Sequence, residues 1–254
     1  MVNKKMRQTD SFEYHLIKKV GKTIKKYNLI ERGDRILVAV SGGKDSLTLL
    51  KILYDRRGFY PNQYEMMALH VVSNLDCEGS MDPRVLEKYL GENGYPYRFV
   101  RMEIEPDERG GSYWCARNRR RVIFDTALKM GFNKIALGHH RHDVLETFLL
   151  NVFYHAEISS MLPCQDLFDG RTTIIRPLYN IPESDTRQFA RLYDLPVASC
   201  RCPVDREMKR ELFKRMLNEI ERANPRAGVN ALRALENVNE EYLPGRMVRE
   251  HIVI

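Results

Sequence analysis

No stretch of this chain is apolar for long enough to cross a membrane. Charged residues make up 30% of its 254 positions, and every apolar run stops short of the roughly eighteen residues that suggest a span. The opening residues Met1-Val2-Asn3-Lys4-Lys5 lack the apolar centre of a signal peptide. These absences predict a cytoplasmic protein with no membrane partner. Internal repeats and low-complexity tracts are missing too. What remains is a globular composition, 43% hydrophobic, long enough for one large α/β domain with a small helical addition. Cysteine is sparse and odd in number: Cys77, Cys115, Cys164, Cys200 and Cys202. In a cytoplasmic chain that argues against a disulfide framework, and favours metal binding or catalysis for those that cluster.

Acidic excess is also lacking, since the formal net charge is +7. Residues 1–26 hold eight Lys or Arg (Lys4, Lys5, Arg7, Lys18, Lys19, Lys22, Lys25, Lys26) against Asp10 and Glu13. Arg117, Arg119, Arg120 and Arg121 form a second cluster, and Arg206, Lys209, Arg210, Lys214 and Arg215 a third. Such clusters suit a polyanion such as RNA; solvated helix faces have the same composition.

Phe12, Leu16, Val20 and Ile24 recur every four residues and mark an amphipathic helix with basic residues on its other face. Strands are expected at 35–40, 64–72, 97–104, 134–137 and 173–176. Helices are expected at 45–56, from Asp82-Pro83 to Gly91, and at 112–130, 142–155 and 184–193. After Cys202, Met208, Leu212, Phe213, Met216, Leu217 and Ile220 keep a helical period that Pro225 breaks, and one more helix is expected over 229–241. Strands alternating with long helices imply a parallel sheet, helices on both faces, joined by right-handed crossovers. The polar segment 105–111 is the expected mobile loop.

What is present most distinctively is Ser41-Gly42-Gly43-Lys44-Asp45-Ser46, directly after the apolar run 35–40. A strand that ends in glycines and hydroxyls and then opens a helix lets backbone N–H groups converge on a phosphate at the helix's positive end. Ser41 and Ser46 add donors, Lys44 a cation, and Asp45 a carboxylate for magnesium. The kinase and GTPase P-loop is excluded, because Val38 stands where it needs Gly and Asp45 where it needs Ser or Thr. Gly138-His139-His140-Arg141-His142-Asp143 follows the fourth strand and should face the same crevice, beyond the carboxyl ends of the strands. His140 and Asp143 are candidates to contact ATP phosphates, magnesium or adenine. A zinc site is disfavoured, because neighbouring side chains point in different directions; simple helix capping is the bland alternative.

The loop resembles that of the PP-loop ATP pyrophosphatases. Gly138-His139-His140-x-x-Asp143, Leu150-Asn151-Val152-Phe153-Tyr154, Met161-Leu162-Pro163 and Ile175-Arg176-Pro177-Leu178 are together similar to the tRNA 2-thiocytidine synthetase branch, over residues 14–205. So is the order Gly21-Lys22, Asn28-Leu29-Ile30, Gly33-Asp34 ahead of the loop. Lysidine synthetases share SGGxDS but carry a C-terminal domain for which there is no room. The two-zinc-finger 2-thiouridine enzymes need cysteines ahead of the loop, where none precedes Cys77.

The resemblance implies ATP, Mg2+ and a [4Fe–4S] cluster, with tRNA as substrate and a cysteine desulfurase or sulfide as sulfur donor. It leaves a homodimer open. ATP would lie at Ser41, Gly42, Gly43, Lys44, Asp45 and Ser46, with His140 and Asp143 opposite. Lys44, Asp45, Cys115 and Cys200 would carry the chemistry, and Lys18, Lys19, Lys22, Arg117, Arg120 and Arg121 the RNA. The family's cluster motif is Cys-x-x-Cys plus a distant cysteine. Here Cys115 matches the second cysteine, Ser112 stands where the first should be, Cys200 matches the distant one, and Cys202 is extra. A rewired Cys115–Cys200–Cys202 ligand set is one reading. A persulfide and resolving pair, Cys115 and Cys200 with Arg117 and Arg201 favouring the thiolate, is another; inert cysteines are the third. Cys77 and Cys164 match no ligand and read as structural. The mechanism implied is adenylation of a cytidine C2 oxygen and its replacement by sulfur. The rivals are an adenylating sulfur-transfer or amidotransfer enzyme acting on a small molecule or another base without a cluster, and a non-catalytic nucleotide or cluster sensor. The expected organisation is a basic N-terminal helix (1–30), an ATP-pyrophosphatase domain (31–204) and a helical extension (205–254).

Overall fold

The computed structural model describes residues 2–58, 63–74, 80–103, 111–198 and 206–243. Cys77, Cys200, Cys202, Arg201 and most of the segment expected to be mobile (104–110) lie outside them. Among the described residues six strands form one sheet: β1 (Arg35–Ala39), β2 (Glu65–Ser73), β3 (Tyr97–Met102), β4 (Lys134–Ala136), β5 (Cys164–Leu167) and β6 (Thr172–Ile175). Their spatial order is β3-β2-β1-β4-β6-β5. Every neighbouring pair is parallel except β5 with β6. The helices are α1 (Val2–Lys26), α2 (Lys44–Arg56), α3 (Pro83–Glu92), α4 (Gly111–Met130), α5 (Arg141–His155), α6 (Glu183–Leu192), α7 (Arg206–Ala223) and α8 (Ala227–Ala234). No helix among the described residues is long and apolar enough to cross a membrane.

The central strand explains the layering. Ile36, Leu37 and Val38 of β1 are fully buried, as a strand covered on both faces demands. Ile36 and Val38 point into one core, with Leu16, Val20 and Ile24 of α1, Leu50 and Leu53 of α2, Leu86 and Leu90 of α3 and Phe189 of α6. Leu37 points the other way, with Leu69, Val71 and Ile135, against Ile123 and Ala127 of α4. A third cluster joins Val144 and Leu145 of α5 to Leu217 of α7 and Leu232 of α8. The expected α3 start is present in detail: the Asp82 carboxylate accepts from the Arg84 N–H at 2.8 Å, and Pro83 opens the helix.

The expected parallel sheet is present over β3-β2-β1-β4-β6, with one addition: an edge strand not anticipated, β5, is antiparallel to β6 and joined to it through Phe168, Asp169 and Gly170, all with positive φ. Cys-Gln-Asp-Leu is too short and too polar to announce an edge strand. The helix expected over 229–241 runs instead from Ala227 to Ala234. A single 3₁₀ turn follows at Glu240–Tyr242, where Asn239 caps the Glu241 N–H and so favours a new start over continuation.

The sheet order places β2 and β4 on opposite sides of β1. The crevice beyond the β1 and β4 carboxyl ends is therefore the switch point at which α/β sheets bind ligands. Helix α6 closes one wall of it by packing on α2, with Phe189 1% exposed at that contact. Phe189→Ala should cost about 3–5 kcal/mol of unfolding free energy, read by urea denaturation.

Candidate active site

The loop between β1 and α2 is built on its own hydroxyls. The Ser41 N–H donates to Ser46 Oγ at 3.2 Å, the two serine hydroxyls lie 3.2 Å apart, and the Gly43 N–H donates to Ser41 Oγ at 3.2 Å. Ser46 Oγ returns a bond to the Gly43 carbonyl at 2.9 Å. Gly42 has φ +89°, and a Cβ there would meet Met81 at 2.5 Å, so the turn demands glycine twice over. Gly43 caps α2 without a side-chain bond, which leaves the helix's first N–H groups for an anion. From β4, Gly138 comes so close that a Cβ would sit 2.9 Å from the Ser46 nitrogen.

Charges of both signs meet over this loop. Lys44 Nζ lies 2.9 Å from Asp45 Oδ2 and 2.9 Å from Glu183 Oε1. Thr186 donates to Asp45 Oδ1 at 2.6 Å. Burial would lower the Lys44 pKa, but the neighbouring Asp45 charge and the Asp45 and Glu183 hydrogen bonds raise it above the usual lysine range. Burial would raise the Glu183 carboxyl, yet Lys44 and Lys214 hold its pKa down at about 2. Arg187 adds a third cation, 3.2 Å from Glu183.

The second constellation does face the same crevice. His140 Nε2 stands 3.8 Å from Asp45 Oδ2, and its Nδ1 accepts from the Asp143 N–H at 3.3 Å. Asp143 in return accepts from the His140 N–H at 2.8 Å, completing a capping box on α5. The three histidines have separate partners. His139 Nδ1 accepts from Arg176 at 3.3 Å, and burial lowers its pKa to about 4. His142 bonds the Glu221 carboxylate and the Glu183 N–H. One turn along α5, burial and then the Asp143 charge push the Glu146 carboxyl up to about 7.

The cysteines divide. Cys164 begins β5, and burial raises its thiol pKa. Cys115 is half-buried on α4 against the Leu37–Leu69 cluster, with Arg119 Nη2 3.9 Å from its sulfur. Arg119 is therefore an arginine beside this sulfur that sequence reading did not single out for it; Arg117 is exposed. Cys200 and Cys202 lie outside the described residues, but Ala198, two positions before Cys200, donates its N–H to the Gly42 carbonyl at 3.0 Å. The basic residues do not form one patch. Lys18, Lys19 and Lys22 are exposed on α1, while Arg117, Arg120 and Arg121 are exposed on α4 across the sheet.

Sequence reading did not find Glu183, Thr186 or His70. Glu183 and Thr186 open α6, where an acidic first turn is commonplace and nothing local points to Lys44 and Asp45, about 140 residues earlier. His70 sits in the middle of an apolar strand, yet its Nδ1–H donates to the Val40 carbonyl at the root of the loop, 2.7 Å away. Burial lowers its pKa against that bond.

A depressed carboxylate stabilises the fold above its unfolded pKa of about 4.5, and that contribution is lost as pH falls toward 2. Glu183→Gln should therefore unfold more easily at pH 7, by on the order of 1–3 kcal/mol. The gap from wild type should narrow steadily as pH drops below about 4.5, measured by chemical denaturation at a series of pH values.

Residues 12–221 match the PP-loop domain family. The tRNA-cytidine(32) 2-sulfurtransferase of Geotalea uraniireducens is 40% identical over 241 residues, covering 91% of this chain and 94% of that relative. The enzyme of the same name from Geobacter sulfurreducens is 40% identical over 248 residues, 94% and 95% of the two chains. Among solved structures, the U34-tRNA thiolase NcsA from Methanococcus maripaludis, determined with its [4Fe–4S] cluster, has the same fold: TM-score 0.76, 20% identity, 91% of this chain and 79% of that one. Similarity running end to end in both chains answers what the loop alone leaves open: this chain belongs to the PP-loop family, in its tRNA-cytidine(32) 2-sulfurtransferase branch.

Proposed function

We infer that the chain is an ATP-dependent tRNA sulfurtransferase that adenylates the C2 oxygen of a cytidine and exchanges that oxygen for sulfur. The observation that carries this reading is a single main-chain bond. The Ala198 N–H to Gly42 carbonyl contact ties the phosphate-binding loop to the segment that carries Cys200 and Cys202. This tether supports a reading in which activation and sulfur delivery share one crevice.

In this reading Ser41, Gly42, Gly43, Ser46 and the free N–H groups of α2 cradle the departing pyrophosphate, and Lys44 offsets its charge. Asp45 holds Mg2+, with His140 and Asp143 completing the ATP site. Lys18, Lys19 and Lys22 on α1, and Arg117, Arg120 and Arg121 on α4, would contact the tRNA backbone as positioning groups rather than sequence readers. The cytidine leaves its stack, since its C2 edge is out of reach there. Its C2 oxygen bonds the ATP α-phosphorus, and the bond to the bridging oxygen breaks as pyrophosphate takes the electron pair. A C2–S bond then forms and the C2–O bond breaks, with AMP as the leaving group. The sulfur comes from sulfide or a cysteine desulfurase.

The donor chemistry of Cys115, Cys200 and Cys202 fits a [4Fe–4S] cluster, since thiolates are its expected ligands and Ser112 is a poor one. With three protein ligands, such a cluster would supply one iron free to carry sulfide. Arg119 orients the Cys115 sulfur from one turn further along α4.

Anaerobically purified protein should release pyrophosphate from ATP only when tRNA is present, with tRNA binding that weakens steeply as salt is raised. ATP cleavage indifferent to tRNA, or no tRNA binding at low salt, overturns the reading. The same preparation should be brown and iron-bearing, and Cys202→Ser should lose the iron; a colourless, iron-free wild type removes the cluster alone.

A further inference from the structure

We propose that Glu221 of α7 is a positioning residue for the adenylation site, holding Lys44 in place through His142 and Glu183. The proposal rests on the adenylation reading for its effect on rate, and on geometry alone for its effect on Lys44.

The linkage can be followed atom by atom. The Glu221 carboxylate accepts from Arg141 Nη2 at 2.9 Å through one oxygen and pairs with His142 Nε2 at 3.1 Å through the other. Arg141 and His142 open α5 beside His140 and are 7% and 5% exposed. His142 Nδ1 accepts the backbone N–H of Glu183 at 3.2 Å. An imidazole that accepts at Nδ1 carries its proton on Nε2, and that proton needs an acceptor, which Glu221 provides. Glu183 is the first residue of α6, and its side chain reaches Lys44 Nζ at 2.9 Å. One carboxylate on the C-terminal helical extension thus sets the tautomer and orientation of a histidine that fixes the N-terminus of α6. That helix end in turn presents Glu183 to the loop lysine.

The surroundings leave Glu221 little freedom. In α8, a Cβ on Gly228 would lie 1.9 Å from Glu221 Oε1 and 3.1 Å from Arg141 Nε. Among the described residues Arg141 Nε has no hydrogen-bond partner, while Nη2 is bonded to Glu221. Glu221 itself borders a polar groove with Arg187, Asn218 and Arg222, and Arg187 belongs to the cations gathered on Glu183. Outer carboxylates that orient metal-bound histidines change metal affinity or activity about 10–100-fold when removed, which sets the scale expected for a carboxylate that orients His142.

Two variants test this on the full-length protein, because breaking a half-buried ion pair can unfold a chain. E221Q removes one of the two acceptors. G228A keeps the carboxylate and displaces it. The direct readout is acetylation of Lys44 by a water-soluble ester, followed by mass spectrometry, with exposed Lys18 and Lys129 as internal controls. Lys44 should acetylate several-fold faster in both variants while the controls do not change. The second readout is tRNA-dependent pyrophosphate release, whose kcat should fall about 10–100-fold with the KM for tRNA unchanged. Wild-type Lys44 labelling in both variants overturns the proposal. So does a loss of rate that tracks melting temperature and tRNA affinity without any change at Lys44. Should the wild type release no pyrophosphate, the proposed function falls, and Lys44 labelling still decides the linkage.

Discussion

The approach of Gly138 to the backbone of Asp45 and Ser46 is the constraint on which the site depends. A side chain at 138 would meet main-chain atoms 2.9–3.0 Å away, and neither the end of β4 nor the start of α2 could yield without breaking the sheet's register with β1. That contact sets how far the histidine segment stands from the phosphate-binding loop. It brings His140 within 3.8 Å of Asp45, although 95 residues separate them. Because it acts between backbones, it also holds when the charged side chains above it rearrange around nucleotide.

Above that contact the electrostatics are balanced and local. Lys44 is shared by Asp45 and Glu183, and Glu183 by Lys44, Lys214 and Arg187. These pairings raise the Lys44 pKa and lower that of Glu183, so both stay charged across the neutral range. In the proposed reading, ATP phosphates would compete with two carboxylates for this one ammonium.

The layered fold was legible because its signals are local: the apolar run 35–40, the capped start at Asp82-Pro83, and the glycines that end strands and helices. The ATP loop was legible for the same reason, since six consecutive residues carry it. The partnership of His140 with the loop could be inferred only through the rule that strands of an open sheet share a ligand-binding edge. Glu183, Thr186 and His70 escaped because their identities are ordinary for a helix start or a buried strand, and only packing gives them their partners. Arg119 reaches Cys115 for a helical reason: at i+4 it lies on the same face of α4. The antiparallel β5 escaped because a short polar edge strand has no periodic signal.

The bond from Ala198 to Gly42 joins two main chains, with no side chain in it. No ordinary substitution at position 198 would remove it; only proline, which has no N–H to donate, could. At position 42 the carbonyl is held in place by a turn that admits only glycine. The bond therefore does not depend on the identity of the neighbouring side chains. The hold of residue 198 on the phosphate-binding loop is thus insulated from mutational drift.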